Sequence, residues 1–546
     1  MAVLLIRRMI KILNKTILLF SLLLLVACGG RRGTVEITLV STGDIHGRLY
    51  ATDYLNSNER NGSMLHAASL VSQLRSEKKN LLYFDTGDMI MGAGESYYDM
   101  TSDFGNPSVL ATLLDVMGCD AFVPGNHEFD MGIPTLDRFI TSGEFPVVCA
   151  NMIFEDNGEP YFPPYTIVEK QGVRIAVLGL TTMSINYKIP WELIDGLTVV
   201  NAVESAKKWV PYIQENENPD IIVALVHSGL RGGFKDDNIC ENEVLEMAQQ
   251  VDGLDIIQYG HDHVENCTKV AGFDGDSVLL VNPGCHAKNA GVTTLELDFK
   301  KKKLVGKRIT SQLVPLKDIE PDKELVALFE TRREEYVNYL DSILGTASTD
   351  ITYDGYPYKQ TSAMDYIHNI LQRSMSSEVT LTLSVRGNNI SQGDVTLRDA
   401  ISFYPYENTL VSMMLYGREI DAALEEGFKN YRFRPSNIIT AGGVNYKVDV
   451  SKPAGDRVEI LSMSDGQPFA DKKLYRVTMD SYLAYSLGSP FIESLNISRE
   501  KLKERVITTT RSDIRYHVIT DFAIKEENGK SVQPVPNGEW SVVNYN

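Results

Sequence analysis

Gly125-Asn126-His127-Glu128-Phe129-Asp130 stands directly behind the apolar run Ala121-Phe122-Val123, and Gly260-His261-Asp262-His263 follows Leu254-Asp255-Ile256-Ile257. Both segments read as a short buried strand that ends in histidine, and three more segments repeat the arrangement. Val35 to Val40 runs into Asp44 and His46, Leu81 to Phe84 into Asp88, and Ile221 to Val226 into His227. Near-continuous apolar runs of this length suit strands covered on both faces. The stretches between them, such as His66 to Lys78 and Pro107 to Met117, read as helices. Alternating strands and helices predict a layered α/β domain, in which the loops at one sheet edge converge. His46, His127, His227, His261 and His263, five of the nine histidines, would then meet at that edge.

The residues gathered this way have the chemistry of a site for two divalent cations. Asp44 and His46 can bind one metal from a turn, Asp88 has two oxygens with which to bridge both, Asn126, His227 and His261 complete the second site, and His263 completes the first. Mixed nitrogen and oxygen donors suit Mn, Fe, Co, Ni or Zn and argue against a site built for Mg or Ca alone. Such a pair clamps a phosphoryl oxygen and generates hydroxide at neutral pH. His127 is then left for chemistry. It is expected to donate a proton or hydrogen bond to the phosphoryl or leaving oxygen, with Asp130 orienting its ring and sustaining its charge.

The motifs Gly43-Asp44-Ile45-His46, Gly87-Asp88, Gly125 to Asp130, Val226-His227 and Gly260 to His263 resemble, in order, those of the bacterial 5′-nucleotidase and 2′,3′-cyclic-nucleotide phosphodiesterase family of calcineurin-like metallophosphoesterases. The likeness runs from about Thr34 to Asn546. It implies that Asp44, His46, Asp88, Asn126, His227, His261 and His263 are metal ligands and that His127 and Asp130 are the catalytic pair. His263 stands where some members carry Gln, a change expected to alter metal preference. The resemblance implies an N-terminal layered β-sandwich-type domain with flanking helices, an interdomain helix and a smaller α/β C-terminal substrate-binding domain.

Within that second domain, Phe403 to Leu410 and Asp480-Ser481-Tyr482 resemble the family segments that sandwich a nucleobase. Tyr406 and Tyr482 would stack on the base and Asn408 would hydrogen-bond nearby; a flat base gains area and π contacts between two rings. The family's Gly-Gly-x-Arg segment is replaced by Ser384-Val385-Arg386-Gly387-Asn388-Asn389, in which Arg386 is the candidate for phosphate or ribose. Asn445 to Val450, Met463 to Gly466 and Asp513 to Tyr516 look like the cyclic-nucleotide branch.

The 546 residues, 43% hydrophobic and 23% charged, exceed one typical domain. A formal net charge of −19 excludes a generic nucleic-acid-polymer binder and leaves the metals to attract an anionic substrate. Arg7, Arg8, Lys11 and Lys15 flank the apolar run Ile17 to Ala27, which ends in Leu25-Val26-Ala27-Cys28. This resembles a lipobox, so a signal peptide over 1–27, lipidation of Cys28, a tether over 28–33 and residence in the cell envelope are expected, at the periplasmic or surface face of the outer membrane if the host is Gram-negative. The alternatives are a simple signal peptide or a signal anchor. Five further cysteines, Cys119, Cys149, Cys240, Cys267 and Cys285, allow at most two disulfides. Cys285-His286 lacks a partner acid for thiol catalysis.

The metallophosphoesterase domain is read as 34–315, closed by strands Gly291 to Phe299 and Leu304 to Leu313 around the turn Lys300 to Lys303. Leu325, Leu328, Phe329, Tyr336, Leu340 and Leu344 predict a linker helix within 316–345, stopped by Gly345, and the nucleotide-binding domain takes 346–546. The expected function is an exported dinuclear phosphohydrolase that removes phosphate from 5′-nucleotides, or from 2′,3′-cyclic and 3′-nucleotides, by in-line attack of metal-bound hydroxide. Its partners would be the nucleotide and, through Cys28, the membrane, with a monomer expected. The alternatives are a nucleotide-sugar or sulfur-ester hydrolase of the same family and a nucleotide-binding lipoprotein without turnover.

Overall fold

A computed structural model describes residues 33–102, 106–235, 239–273, 275–495 and 497–545. The expected signal peptide, Cys28 and the tether up to residue 32 lie outside the described residues. The N-terminal domain contains two face-to-face sheets. In the first, the strand order is Lys303–Pro315, Asn289–Lys300, Gly33–Thr42, Leu81–Asp85 and Cys119–Phe122, the last three parallel. In the second it is Asn266–Ala271, Ser277–Asn282, Ile256–Tyr259, Ile221–His227, Val173–Thr181 and Tyr165–Lys170, with the four inner strands parallel.

The near-continuous apolar runs follow from this layering. Leu39, Leu82 and Phe84 of the first sheet and Val177, Val223 and Leu225 of the second share one buried core between the sheets. Residues of opposite pleat, Val40 and Tyr83, face helices Met64–Glu77 and Val109–Val116, while Ala224 and Val226 face Ala202–Glu217 and Val244–Gln250. Each fully buried Leu or Phe contributes roughly 1.5–3 kcal/mol. Parallel strands with their C-termini at one edge are therefore held rigidly from both sides, and the loops leaving that edge inherit fixed starting points. Lys301 and Lys302 take φ of 52° and 68° in the turn of the terminal hairpin.

The link departs from the sequence expectation of one helix. It forms two, Lys323–Leu328 and Glu330–Leu340, broken at Phe329, where φ is −104° and ψ 5°. Phe329 is buried in the first domain's core, and the Tyr50 hydroxyl donates to its carbonyl. Docking this side chain overrides the helical period. Leu344, expected in the helix, lies in strand Ile343–Ala347, which pairs with Gly393–Thr396.

The C-terminal domain is built on a sheet ordered Ile439–Gly442, Val379–Leu383, Leu474–Asp480, Thr409–Tyr416 and Val506–Asp513. Val379–Leu383 and Leu474–Asp480 are parallel, and Thr409–Tyr416 is antiparallel to the latter. The ends of the first two and the start of the third consequently lie at one edge, which brings Arg386, Tyr482 and the Tyr406–Asn408 loop together. All five described cysteines are free, so neither disulfide that the count allowed is formed. Among the described residues, no helix is long and apolar enough to cross a membrane.

Candidate functional site

Five strand ends at one edge of the sandwich deliver the expected ligands. To turn back over the edge, Asp44, His46, Asp88, His261 and His263 adopt φ of 49°, 52°, 56°, 84° and 59°. Left-handed backbone at a residue with a Cβ is strained by roughly 1–3 kcal/mol and persists only where the surroundings impose it. Here the packed strands beneath do so. Glycines open the remaining space: a Cβ on Gly125 would lie 2.3 Å from Asp88 Oδ1 and 2.6 Å from His227 Cε1.

Two groups of donors result. Asp44, His46, Asp88 and His263 form one and Asp88, His227 and His261 the other, with the donor atoms of each group within 4.8 Å of one another. Asp88 belongs to both. His46 Nε2 lies 3.0 Å from His263 Nε2 and 3.9 Å from Asp88 Oδ2, while His227 Nε2 lies 3.2 Å from that same oxygen. His263 Nε2 is 3.4 Å from Asp44 Oδ1. The outer nitrogens are tied down, with His46 Nδ1 donating to the Met91 carbonyl and His227 Nδ1 to that of Thr86. His261 Nε2 is 3.0 Å from Glu241 Oε1, which also pairs with Lys188 at 2.7 Å. Such outer contacts fix tautomer and ring direction and leave the inner nitrogens for a metal.

The donors pass a direct test of fit to divalent ions. Asn126 Oδ1 and His227 Nε2 are buried and have no well-formed hydrogen bond. An orphaned buried polar atom costs roughly 1–3 kcal/mol. A cation held by Asp88 and His227 would satisfy the imidazole nitrogen, and the Asn126 amide oxygen is a further donor it could take up. The mixed imidazole, carboxylate and amide set matches Mn, Fe, Co, Ni or Zn.

The electrostatics point the same way. Asp44 and Asp88 are buried, which penalises their charge, yet the histidines hold both below the usual carboxylate range, His263 acting on Asp44 and His227 on Asp88. In return His227 is pushed up to about 9, Asp88 outweighing the burial that opposes its charge. Burial instead drives His46 and His261 down to about 4. The two carboxylates thus draw positive charge into the site.

His127 stands at the open side of both groups. Its backbone N–H donates to Asp88 Oδ1 at 2.8 Å and its Nδ1 is 2.6 Å from Asp130 Oδ2, so Nε2 faces the cleft, 4.0 Å from Asp88 Oδ2. Burial opposes its charge, but Asp130 and Asp88 outweigh it and push the ring up to about 10.

Sequence reasoning missed three residues. Glu128 is fully buried; Oε2 accepts from the N–H groups of Asp88 and Gly125 and Oε1 from those of Met89 and Ile90, pinning two ligand loops together. It lay inside the opening motif, and its burial was the missing signal. Glu241, in a loop, and Lys188, the last residue of the short helix Ile185–Lys188, buttress His261 from segments without an Asp- or His-rich motif.

The cleft continues into the C-terminal domain. A cavity of about 280 Å³ is lined by Asn126, His127, Asp130 and Lys188 on one side and Tyr406, Asn408 and Tyr482 on the other. A second, of about 420 Å³, shares Tyr406, Asn408 and Tyr482 and adds Arg386, Tyr356 and Asp480. Tyr406 and Tyr482 are 53% and 48% exposed, so their rings are surfaces of the cleft and not core. Arg386 lines the second cavity and not the one that reaches Asn126 and His127.

Comparison with known proteins agrees with this layout. Residues 37–265 match the calcineurin-like phosphoesterase family and residues 343–491 the 5′-nucleotidase C-terminal domain. A 2′,3′-cyclic-nucleotide 2′-phosphodiesterase/3′-nucleotidase of Yersinia enterocolitica is 25% identical, covering 86% of this chain and 83% of its own. One of the same description from Haemophilus influenzae is 26% identical over 94% of this chain and 88% of its own. The structure of a putative 5′-nucleotidase from Staphylococcus aureus superposes with a TM-score of 0.74 at 20% identity, over 93% of this chain and 100% of the other, and shows the fold.

Proposed function

We propose, from the premise that this chain is a calcineurin-like phosphoesterase carrying a 5′-nucleotidase C-terminal domain and hence a metal-dependent phosphoric ester hydrolase, that its substrates are 2′,3′-cyclic nucleotides and 3′-nucleotides. The observation that carries a nucleotide reading is the cleft with Asn126, His127 and Asp130 on one side, next to the candidate metal donor Asp88, and two exposed tyrosine rings on the other. The choice of ester rests on the relatives of that description. A 5′-nucleotidase is the second reading, favoured by the match over residues 343–491.

Two divalent ions would be held by Asp44, His46, Asp88 and His263 and by Asp88, His227 and His261, Asp88 belonging to both groups and Asn126 adding its orphaned amide oxygen to the second. When bound, such ions supply Lewis-acid stabilisation of charge on phosphoryl oxygens and acidify water. The chain's own part begins at the base, which Tyr406 and Tyr482 clamp between their rings while Asn408 hydrogen-bonds beside it. Lys188 adds positive charge to the cavity wall. His127, protonated through Asp130, presents Nε2–H to the phosphoryl group or the departing oxygen and steadies its growing charge. Asp130 keeps that proton on the ring.

Purified protein loaded with Mn is assayed for phosphate and nucleoside release from 2′,3′-cyclic AMP, 3′-AMP, AMP and a nucleotide sugar. Preference for the first two supports the leading reading, and preference for AMP replaces it with the second. Export as a lipoprotein is supported by the Leu25 to Cys28 sequence and is tested by fatty-acid labelling, which Cys28→Ser should abolish.

A further inference from the structure

Strand Ser277–Asn282 is the one parallel strand of the second sheet whose following loop the proposed mechanism does not use. That loop carries Cys285 and His286 to the same edge. Cys285 Sγ, a nitrogen of His286 and a nitrogen of His263 lie within 4.8 Å of one another. The ring of His286 is 5.7 Å from that of His263 and 5.2 Å from that of His46.

Two independent features mark this loop as more than filler. His286 Nδ1 is buried without a well-formed hydrogen bond, leaving a donor atom to be satisfied. His286 and Ala287 both hold left-handed backbone, with φ of 61° and 54°, so the chain is strained into the position that turns Cys285 and His286 toward His263. The side chain of His263 is 41% exposed, which gives an ion a way in.

We infer that His263, Cys285 and His286 form a third metal site, selective for soft or borderline cations of the zinc, cadmium or copper(I) class, whose occupation withdraws His263 from the Asp44, His46 and Asp88 group. A thiolate and two imidazoles bind such ions far better than they bind manganese or magnesium, whereas the neighbouring oxygen-rich group accepts harder ions. On binding, the thiol releases its proton to solvent and sulfur takes up the metal bond. His263 is the hinge between the two sets. Binding itself stands apart from the phosphoesterase reading, but the consequence for turnover rests on it.

The test titrates cobalt(II) into the metal-stripped protein and follows the near-ultraviolet thiolate-to-cobalt charge-transfer band, which oxygen and nitrogen ligands do not produce. The wild type should develop the band, C285S should lack it while keeping the visible cobalt absorption of the other donors, and H286Q should require about ten- to a hundredfold more cobalt. No band in the wild type, an undiminished band in C285S, or an unshifted titration in H286Q would each overturn the site. H286Q keeps the thiol, so the conclusion does not depend on C285S folding. In manganese-loaded enzyme, added cadmium should suppress turnover of the wild type at concentrations that spare C285S, and equal sensitivity overturns the capture of His263. If the wild type turns over no phosphate ester, the functional reading fails while the band still reports the site.

Discussion

His368 gives the sharpest test of how burial governs this protein, because it lies far from any metal donor and titrates in an accessible range. It sits in helix Ser362–Met375 against the C-terminal sheet, 2% exposed, with Nδ1 2.8 Å from Thr380 Oγ1 and Nε2 3.0 Å from Thr440 Oγ1. Burial, with no carboxylate beside it, pushes it down to about 3 from the ordinary 6.5. The folded state therefore binds fewer protons than the unfolded state between those values. Stability is complete above pH 6.5 and is lost as pH falls through the window. At about 1.4 kcal/mol per pK unit, this one group removes about 2 kcal/mol between pH 8 and pH 5. Asp365 and Asp513, pushed up to about 6 by burial, act in the opposite direction, but they are present in wild type and variant alike and cancel in the comparison. Urea unfolding of wild type and His368→Gln at pH 8 and pH 5 checks the reasoning. The variant is expected to be weaker at pH 8 through poorer packing, yet to lose about 2 kcal/mol less than wild type on acidification. Equal losses in the two proteins would refute the buried neutral imidazole.

His127→Ala should leave metal content unchanged and lower kcat by about 10²- to 10⁴-fold, measured with Mn-loaded enzyme on its best substrate; undiminished turnover removes His127 from the mechanism. Tyr406→Ala and Tyr482→Ala should each weaken nucleotide binding by about 1–3 kcal/mol, seen as a raised KM with a smaller change in kcat, while hydrolysis of a base-free phosphate ester should not change. Glu128→Gln turns an amide toward two of four backbone N–H groups that now meet carboxylate oxygens, which should cost about 2–4 kcal/mol in unfolding experiments and lower metal occupancy; a change below about 1 kcal/mol contradicts the pinning role. Arg515→Lys keeps the charge but loses the planar fork, so KM should rise with metal content intact.

The sandwich was legible because apolar runs covered on both sides carry a plain signal, and strand ends rich in Asp and His pointed to six residues that the structure gathers into groups able to hold a metal, Asp44, His46, Asp88, His227, His261 and His263. The sequence does not show that Asp44, His46 and Asp88 take left-handed backbone: Asp and His tolerate it better than most side chains, but most copies of either residue do not adopt it, and here the packed sheet selects it. Glu128 was silent for a related reason: its role lies in which N–H groups its oxygens meet, and three of the four belong to a loop some forty positions earlier. Phe329 interrupts the linker helix because a buried ring decides against the helical period, a tertiary outcome that periodicity cannot anticipate. His286 read as an ordinary residue because the strand that carries it to the edge is not itself followed by an acidic motif.

The segment Asp513-Ile514-Arg515-Tyr516, noticed in the sequence only for its likeness to one branch of relatives, has a physical task in the structure. Arg515 Nε donates to the Tyr404 carbonyl at 2.8 Å, and its guanidinium forms a buried ion pair with Glu407. Ile514 N–H donates to the Asn408 carbonyl at 2.9 Å, and Asp513 accepts from the Tyr97 hydroxyl of the first domain at 3.1 Å. One segment thus grips the loop that carries Tyr406 on both sides of that residue and ties the grip to the domain holding the metal donors. A lysine could keep the charge opposite Glu407 but not hold the carbonyl at the same time. The Tyr406 ring proposed to meet the base is exposed, and exposed rings wander unless their backbone is fixed; here the fixing is buried, charged and shared between domains. On the proposed reading, base recognition and the placement of phosphate against His127 would be set by the same contacts, so Arg515, touching neither, should change the affinity for nucleotide without changing the candidate metal site.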